Sequence, residues 1–336
     1  MSVGHVGASV DGTRDSPASE GSDGELGWCI GSGVGFSTRI GVGVSEVSSC
    51  VIDGVELVYS YRAGDGPCVV FISGLGESGA AWDAVIGLMP AGTATFTYAR
   101  AGCGDSGALP AALVSEERSI VWGAEQLRKL LEAADVQGPW VPVGHSIGGL
   151  IADAFARRWP ESVGGMVLVD ASDAAFNDGL DEPEEVYVDG RDGEGWRISM
   201  PATLQNFEPG PERPVETVVI GSAIWRWLSL DDPSPYRPLT LPEIDQRWHR
   251  HQLALAERWS GHLVVPHTAG HSVHREAPEL VATTTHAVVV AAAAETPVEL
   301  DQEALIKSGG AVRVSVKDGA LTVWDSTGER GTARDV

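Results

Sequence analysis

VPVGHSIGGL, residues 141–150, changes character at its centre. Val141 and Val143 read as the end of a buried strand, and Ile147 opens a helix-like run that continues through Ile151, Ala152 and Phe155. Between them, Gly144-His145-Ser146-Ile147-Gly148 puts a serine at a strand-to-helix corner. The two glycines permit the strained backbone that lifts a hydroxyl out at the carboxyl edge of a sheet, and the helix N-terminus behind it favours developing negative charge. Such corners also occur where nothing is catalysed, so the pentapeptide alone does not make Ser146 a nucleophile.

The surrounding chain supplies the context. SSCVIDGVELVYSYRAGDG reads as two strands about the Asp53-Gly54 turn, and CVVFISG as a strand buried on both faces. A helix near residues 82–88, the strand TATFTYA, a helix over about 116–134, the strand WVPVG, a helix over 147–159 and the strand GMVLVD follow. Strands separated by helix-length segments predict an α/β fold with a doubly wound, mostly parallel sheet, and such sheets bind ligands at their carboxyl edge. Residues 174–213, with four prolines, many acids and scattered aromatics, are too long for a βα loop and predict a small cap. ETVVIGS, a helix over 243–258, HLVVPH and a closing helix over 277–294 complete a domain spanning residues 46–294. Residues 1–45, rich in Gly, Ser and Asp, predict a disordered arm. Residues 295–336 read as an extension whose VRVSVKDGALTVW forms a β-hairpin appendage about Asp318-Gly319, with Val316 opposite Leu321 and Val314 opposite Val323.

Forty-seven acidic against 23 basic side chains leave a net charge of −24, which repels phosphate backbones and anionic headgroups, so neither nucleic acid nor a membrane surface is an expected partner. Cys29, Cys50, Cys68 and Cys103 show neither C-x-x-C spacing nor nearby paired histidines. Free thiols in a reducing cytoplasm, no metal and no cofactor are the expectation. The first 25 residues lack the basic and apolar regions of a secretory signal.

A serine hydroxyl needs a base to act as a nucleophile. His271, in HTAGHSVHREAPELV between the last predicted strand and helix, is best placed to hang over the same edge. His262 lies in the strand, His267 and His274 at the ends of the loop, and His145 points away around the turn. With these in order, ISGLGESGAAW, YARAGCGDSG, VGHSIGG, MVLVDAS and GHSVHREAPELV together resemble the α/β-hydrolase family over roughly residues 50–294. The resemblance implies a triad of Ser146 as nucleophile, His271 as base and then acid, and a carboxylate. It also implies an oxyanion hole from the backbone N–H groups of Ile147 and Leu75. Two positions depart from the common pattern: Ser73 stands where a histidine usually precedes the glycine, and Ala99 where an aspartate often precedes the arginine.

The acid is less direct. Most family members carry it shortly after the strand matching ETVVIGS, yet residues 221–230 contain no carboxylate. Asp170, at the end of MVLVD, resembles the position used by some branches; Asp231, Asp232 and Asp173 are the alternatives. The implied function is hydrolysis of an ester, lactone or similar small uncharged acyl compound through a covalent acyl-enzyme. Serine at the elbow argues against the branches with a carboxylate nucleophile. Cofactor-free haloperoxidase and carbon–carbon hydrolase chemistry share the triad. The competing class is a binding protein with slow or no turnover, suggested by the missing late acid.

Overall fold

Asp53 and Gly54 carry the chain through positive φ, 51° and 82°, the conformation of a tight two-residue hairpin loop. β1 (Glu46–Ile52) therefore folds back on β2 (Val55–Arg62) with Ile52 opposite Val55. The computed structural model describes residues 46–191, 195–207, 213–317, 320–324 and 330–331; the arm expected over residues 1–45 lies outside them. After the hairpin, strands and helices alternate: β3 (Asp65–Ile72), α1 (Asp83–Leu88), β4 (Thr93–Tyr98), α2 (Ala111–Val114), β5 (Glu117–Arg118), α3 (Ile120–Ala133), β6 (Trp140–His145), α4 (Ile147–Arg158) and β7 (Met166–Val169). The inserted segment holds β8 (Val186–Val188), β9 (Arg197–Ser199) and α5 (Met200–Phe207). β10 (Thr217–Ile220), α6 (Leu241–Arg258), β11 (His262–Pro266), α7 (Val273–Glu276) and α8 (Pro278–Ala294) return to the main layer.

Among the described residues the main sheet begins β1-β2-β4-β3-β6-β7-β10-β11, and every neighbouring pair from β4 to β11 is parallel. Successive side chains of a strand point to opposite faces, so the continuous apolar runs feed two cores. Val69, Phe71, Val141 and Val143 pack on one side with Trp82, Val85 and the α8 residues Leu280, Val281 and Val288. Val70 and Ile72 pack on the other with Leu127, Leu130, Ile151 and Phe155 from α3 and α4. A third cluster, Phe176, Trp227, Ile244 and Trp248, joins the inserted segment, the loop after β10 and α6. No helix among the described residues is long and apolar enough to cross a membrane.

Two expectations change. The helix expected from about residue 116 starts at Ile120, because Glu117 and Arg118 pair with Arg197 and Ile198 to complete a small sheet in the order β5-β9-β8. The C-terminal hairpin, β12 (Gly310–Lys317) with β13 (Ala320–Trp324), has the expected register, Val316 opposite Leu321 and Val314 opposite Val323. It joins the main sheet rather than standing apart as an appendage. β12 pairs antiparallel with β11, Leu263 opposite Val314, so the hairpin continues the central sheet and covers an edge that would otherwise be open. The connecting α9 (Gln302–Lys307) starts at Asp301, whose carboxylate accepts the Glu303 and Ala304 N–H groups, and brings Leu305 into the core with Val298 and Leu300.

Removing residues 295–336 should therefore destabilise the fold. Three buried aliphatic side chains at about 1.5–3 kcal/mol each are a large share of a stability of about 5–15 kcal/mol, before the exposed β11 edge is counted. The expected result is a markedly lower Tm with turnover per active site unchanged in the folded fraction; an unchanged Tm would contradict the pairing.

Candidate active site

β6 ends at His145 and α4 begins at Ile147, leaving Ser146 alone to make the turn at φ 54°, ψ −122°. A non-glycine residue there stores on the order of 1–3 kcal/mol of strain, which persists only where the surroundings enforce it. They do: Ser146 N–H donates to Val169 O and Ser146 O accepts from Gly149 and Ser172 N–H. A Cβ at Gly144 would lie 2.3 Å from Gly148 O, and one at Gly148 would lie 2.2 Å from Ile72 O, so both positions need glycine.

The serine hydroxyl lies 3.0 Å from His271 Nε2, and His271 Nδ1 lies 2.7 Å from Asp170 Oδ2. Because a carboxylate only accepts, Nδ1 carries the proton and Nε2 is left to accept from Ser146. Asp170 is fully buried at the end of β7. Its Oδ1 accepts from Ser222 N–H and Trp248 Nε1–H, each at 2.7 Å. Arg226 Nη2 lies 3.8 Å from Oδ2, its guanidinium 3.9 Å from the centre of the Trp227 ring. Burial alone would raise the Asp170 carboxyl, but the His271 hydrogen bond, the Arg226 charge and the Trp248 hydrogen bond hold it below the usual carboxylate value.

Leu75 and Ile147 line the same cleft as Ser146, together with Ser172, Phe176, Met200 and Trp248, around a cavity of about 100 Å³. Ser172 Oγ lies 3.3 Å from Ser146 Oγ. Asp173 also borders the cleft but pairs with His251 Nδ1 at 3.1 Å. Asp231 and Asp232 are exposed, and Asp232 accepts Ser234 N–H. Of the four carboxylates weighed from sequence, Asp170 is thus the one brought to His271. Trp225 is exposed, whereas Trp227 packs against Phe176 and Trp248.

His145 takes a part that its place beside the serine did not indicate. Its Nε2–H donates to the carbonyl of His271 at 2.9 Å, tying the histidine loop to the elbow. Its Nδ1 faces Glu77 Oε2 at 3.4 Å, and Glu77 also accepts Gly74 N–H and Arg275 Nη2. Among the described residues Glu77, His145 and His274 are the set whose donor atoms, within 4.8 Å of one another, could share a metal ion. Arg275 already supplies positive charge there, donating to Glu77 and to His274 Nε2.

Burial alone would raise the Glu77 carboxyl, but its hydrogen bond with His145, the histidine charges and Gly74 N–H bring it down to about 2. Burial, reinforced by His145, pushes the His274 imidazole down to about 3. Both groups make the fold acid-sensitive. An unfolded chain protonates residue 274 below pH about 6.5 while the folded chain refuses the proton until about 3, which removes up to about 1.4 kcal/mol per pH unit across that window. Glu77 contributes its full stability above about 4.5 and loses it toward 2. Urea midpoints should therefore fall from pH 6.5 to 4, and His274→Asn should flatten the slope; equal slopes in both proteins would remove His274 as its source.

Comparison with known proteins identifies the family and the fold. Residues 69–284 match the Alpha/beta hydrolase family, more than half of the chain. Uncharacterized protein YqjL of Bacillus subtilis (strain 168) is 34% identical over 120 residues, 35% of this chain and 46% of that protein. The "Putative carbamate hydrolase RutD" of Escherichia coli O9:H4 (strain HS) is 34% identical over 105 residues, 31% of this chain and 38% of that protein. The matched segments thus span less than half the length of these curated relatives. A thermophilic esterase from Thermogutta terrifontis shares the fold at a TM-score of 0.50 and 17% identity, over 74% of this chain and 99% of its own. From the elbow, the order of strands and the matched segment together, the chain belongs to the α/β-hydrolase family.

Proposed function

We propose that the protein is a serine hydrolase that cleaves an ester, lactone or similar small uncharged acyl compound through a covalent acyl-enzyme. The observation that carries this reading is the unbroken line from Ser146 Oγ through both nitrogens of His271 to the buried carboxylate of Asp170. In the reading, Ser146 Oγ attacks the acyl carbon as its proton passes to His271 Nε2. The backbone N–H groups of Leu75 and Ile147 receive the developing oxyanion. The proton then moves from His271 to the leaving oxygen or nitrogen. Water, deprotonated by His271, repeats the sequence to release the acid. Asp170 holds the imidazole in the tautomer that accepts at Nε2 and stabilises the imidazolium.

The cleft favours short acyl groups: its volume is about 100 Å³ and Leu75, Phe176, Met200 and Trp248 give it apolar walls. The relative named as a carbamate hydrolase adds carbamates to the acyl compounds worth testing. The competing reading, a binding protein without turnover, drew on the missing late acid, and the Asp170 contact with His271 takes away that motive.

Ser146→Ala and His271→Ala should each lower esterase kcat by about three or more powers of ten, since the two groups act as a unit, and Asp170→Asn by on the order of 10²- to 10⁴-fold. p-Nitrophenyl esters of rising chain length, with lactones and carbamates, measure this, and a fluorophosphonate should label Ser146. Retention of a tenth of wild-type activity in either alanine variant would sink the reading.

A further inference from the structure

The loop after β3 is held by a buried ion pair that lies outside the triad. Arg100, 5% exposed just after β4, meets Asp189, 0% exposed in the inserted segment after β8, through Nε to Oδ2 at 2.6 Å and Nη2 to Oδ1 at 3.2 Å. The rest of the guanidinium is aimed at the loop: Nη1–H donates to Ser73 O at 2.7 Å and Nη2–H to Gly74 O at 2.6 Å. Asp189 completes the grip by accepting Gly76 N–H on Oδ1 at 2.7 Å, and Trp196 Nε1–H steadies its Oδ2 at 3.1 Å. Two backbone groups before Leu75 and one directly after it are thus fixed by a single Arg–Asp pair. Burial works against both charges, yet each holds the other ionised: Asp189 sits below the usual carboxylate value and Arg100 above its own.

We infer that Arg100 and Asp189 are positioning residues that aim the Leu75 N–H at the oxyanion, so that the inserted segment is part of the catalytic frame as well as a cover for the cleft. The inference rests on the serine-hydrolase reading above. Its physical basis is the planar guanidinium. Arg100 makes four donor contacts in one plane, two to the carboxylate and one to each carbonyl, whereas a lysine ammonium has the charge but only three N–H groups and no fork. The common histidine of this loop is absent here, Ser73 instead donating its Oγ–H to Ser78 O, and Ala99 stands before the arginine.

Two variants test it. Arg100→Lys keeps the positive charge beside Asp189 and loses the fork. The double variant Arg100→Met with Asp189→Leu removes both charges, so neither is left buried alone, and loses every tie to the loop. The readouts are Tm, kcat and KM on a short p-nitrophenyl ester, and the inhibition constant of a trifluoromethyl ketone, whose hemiketal on Ser146 carries a real oxyanion. Both variants should lose kcat by about 10- to 100-fold, less than the roughly 10²–10³ that deleting an oxyanion donor costs because the Leu75 N–H is displaced rather than removed, with KM changed little. Ketone affinity should weaken by the same factor as kcat/KM, and recovery of Tm in the double variant should not restore kcat. A merely structural pair predicts the opposite, with kcat following Tm and ketone affinity unchanged, and that result overturns the inference. A wild-type protein that neither turns over esters nor binds the ketone would overturn the hydrolase reading itself, an outcome distinct from an active wild type whose folded variants keep full kcat.

Discussion

A carboxylate with no exposed surface imposes conditions on everything around it, and in this protein that carboxylate is Asp170. An unpaired charge at such depth would be expensive or would take up a proton, so each lone pair has to meet a donor. The groups that face it come from three places: the histidine loop after β11 (His271), the loop after β10 (Ser222 N–H and, at longer range, the Arg226 charge) and α6 (Trp248), while the backbone N–H of Asp170 donates to Ile220 O at 2.6 Å and holds the end of β7 beside β10. Segments far apart in sequence are thereby brought to one point beside the elbow. Trp248 does double duty, since the indole that donates to Asp170 also walls the cleft and packs on Phe176. Polar requirement and apolar packing here specify the same arrangement, as expected of a sequence that folds to one state.

Much of this was legible because it rests on local chemistry. The alternation of continuous apolar runs with helix-length segments comes directly from strands covered on both faces, and the sequence dipeptides Asp53-Gly54 and Asp318-Gly319, the latter outside the described residues, give the strand registers to the residue. Ser146 and His271 stand in motifs where glycines and loop position reveal the constraint. What stayed hidden depends on contacts between distant residues. Nothing near Asp189 sets it apart from seven other acids between residues 178 and 194, and its partner Arg100 is 89 residues away. The attachment of the C-terminal hairpin was equally hidden, because an alternating strand shows which face is apolar but not which edge will accept it. His145 lay in plain view inside the elbow, yet its bond to the His271 carbonyl spans 126 residues.

The position of Asp170 can be understood from the sheet. β7 and β10 are neighbours in parallel register, Val169 beside Ile220, so their carboxyl ends lie level and about 4.8 Å apart. A side chain leaving either end can meet a histidine loop that descends after β11. In this chain the loop after β10 is committed elsewhere: Arg226 and Trp227 pack into the aromatic cluster under the inserted segment, and Asp245 on α6 fixes that loop by accepting Trp225 and Trp227 N–H. A carboxylate there would replace apolar or cationic groups that hold the cluster together. Moved one strand over, the acid keeps its reach to His271, and the β10 loop contributes to it from the other side, through the Ser222 N–H and the Arg226 charge. The geometry that His271 needs is therefore preserved by the sheet rather than by any one loop.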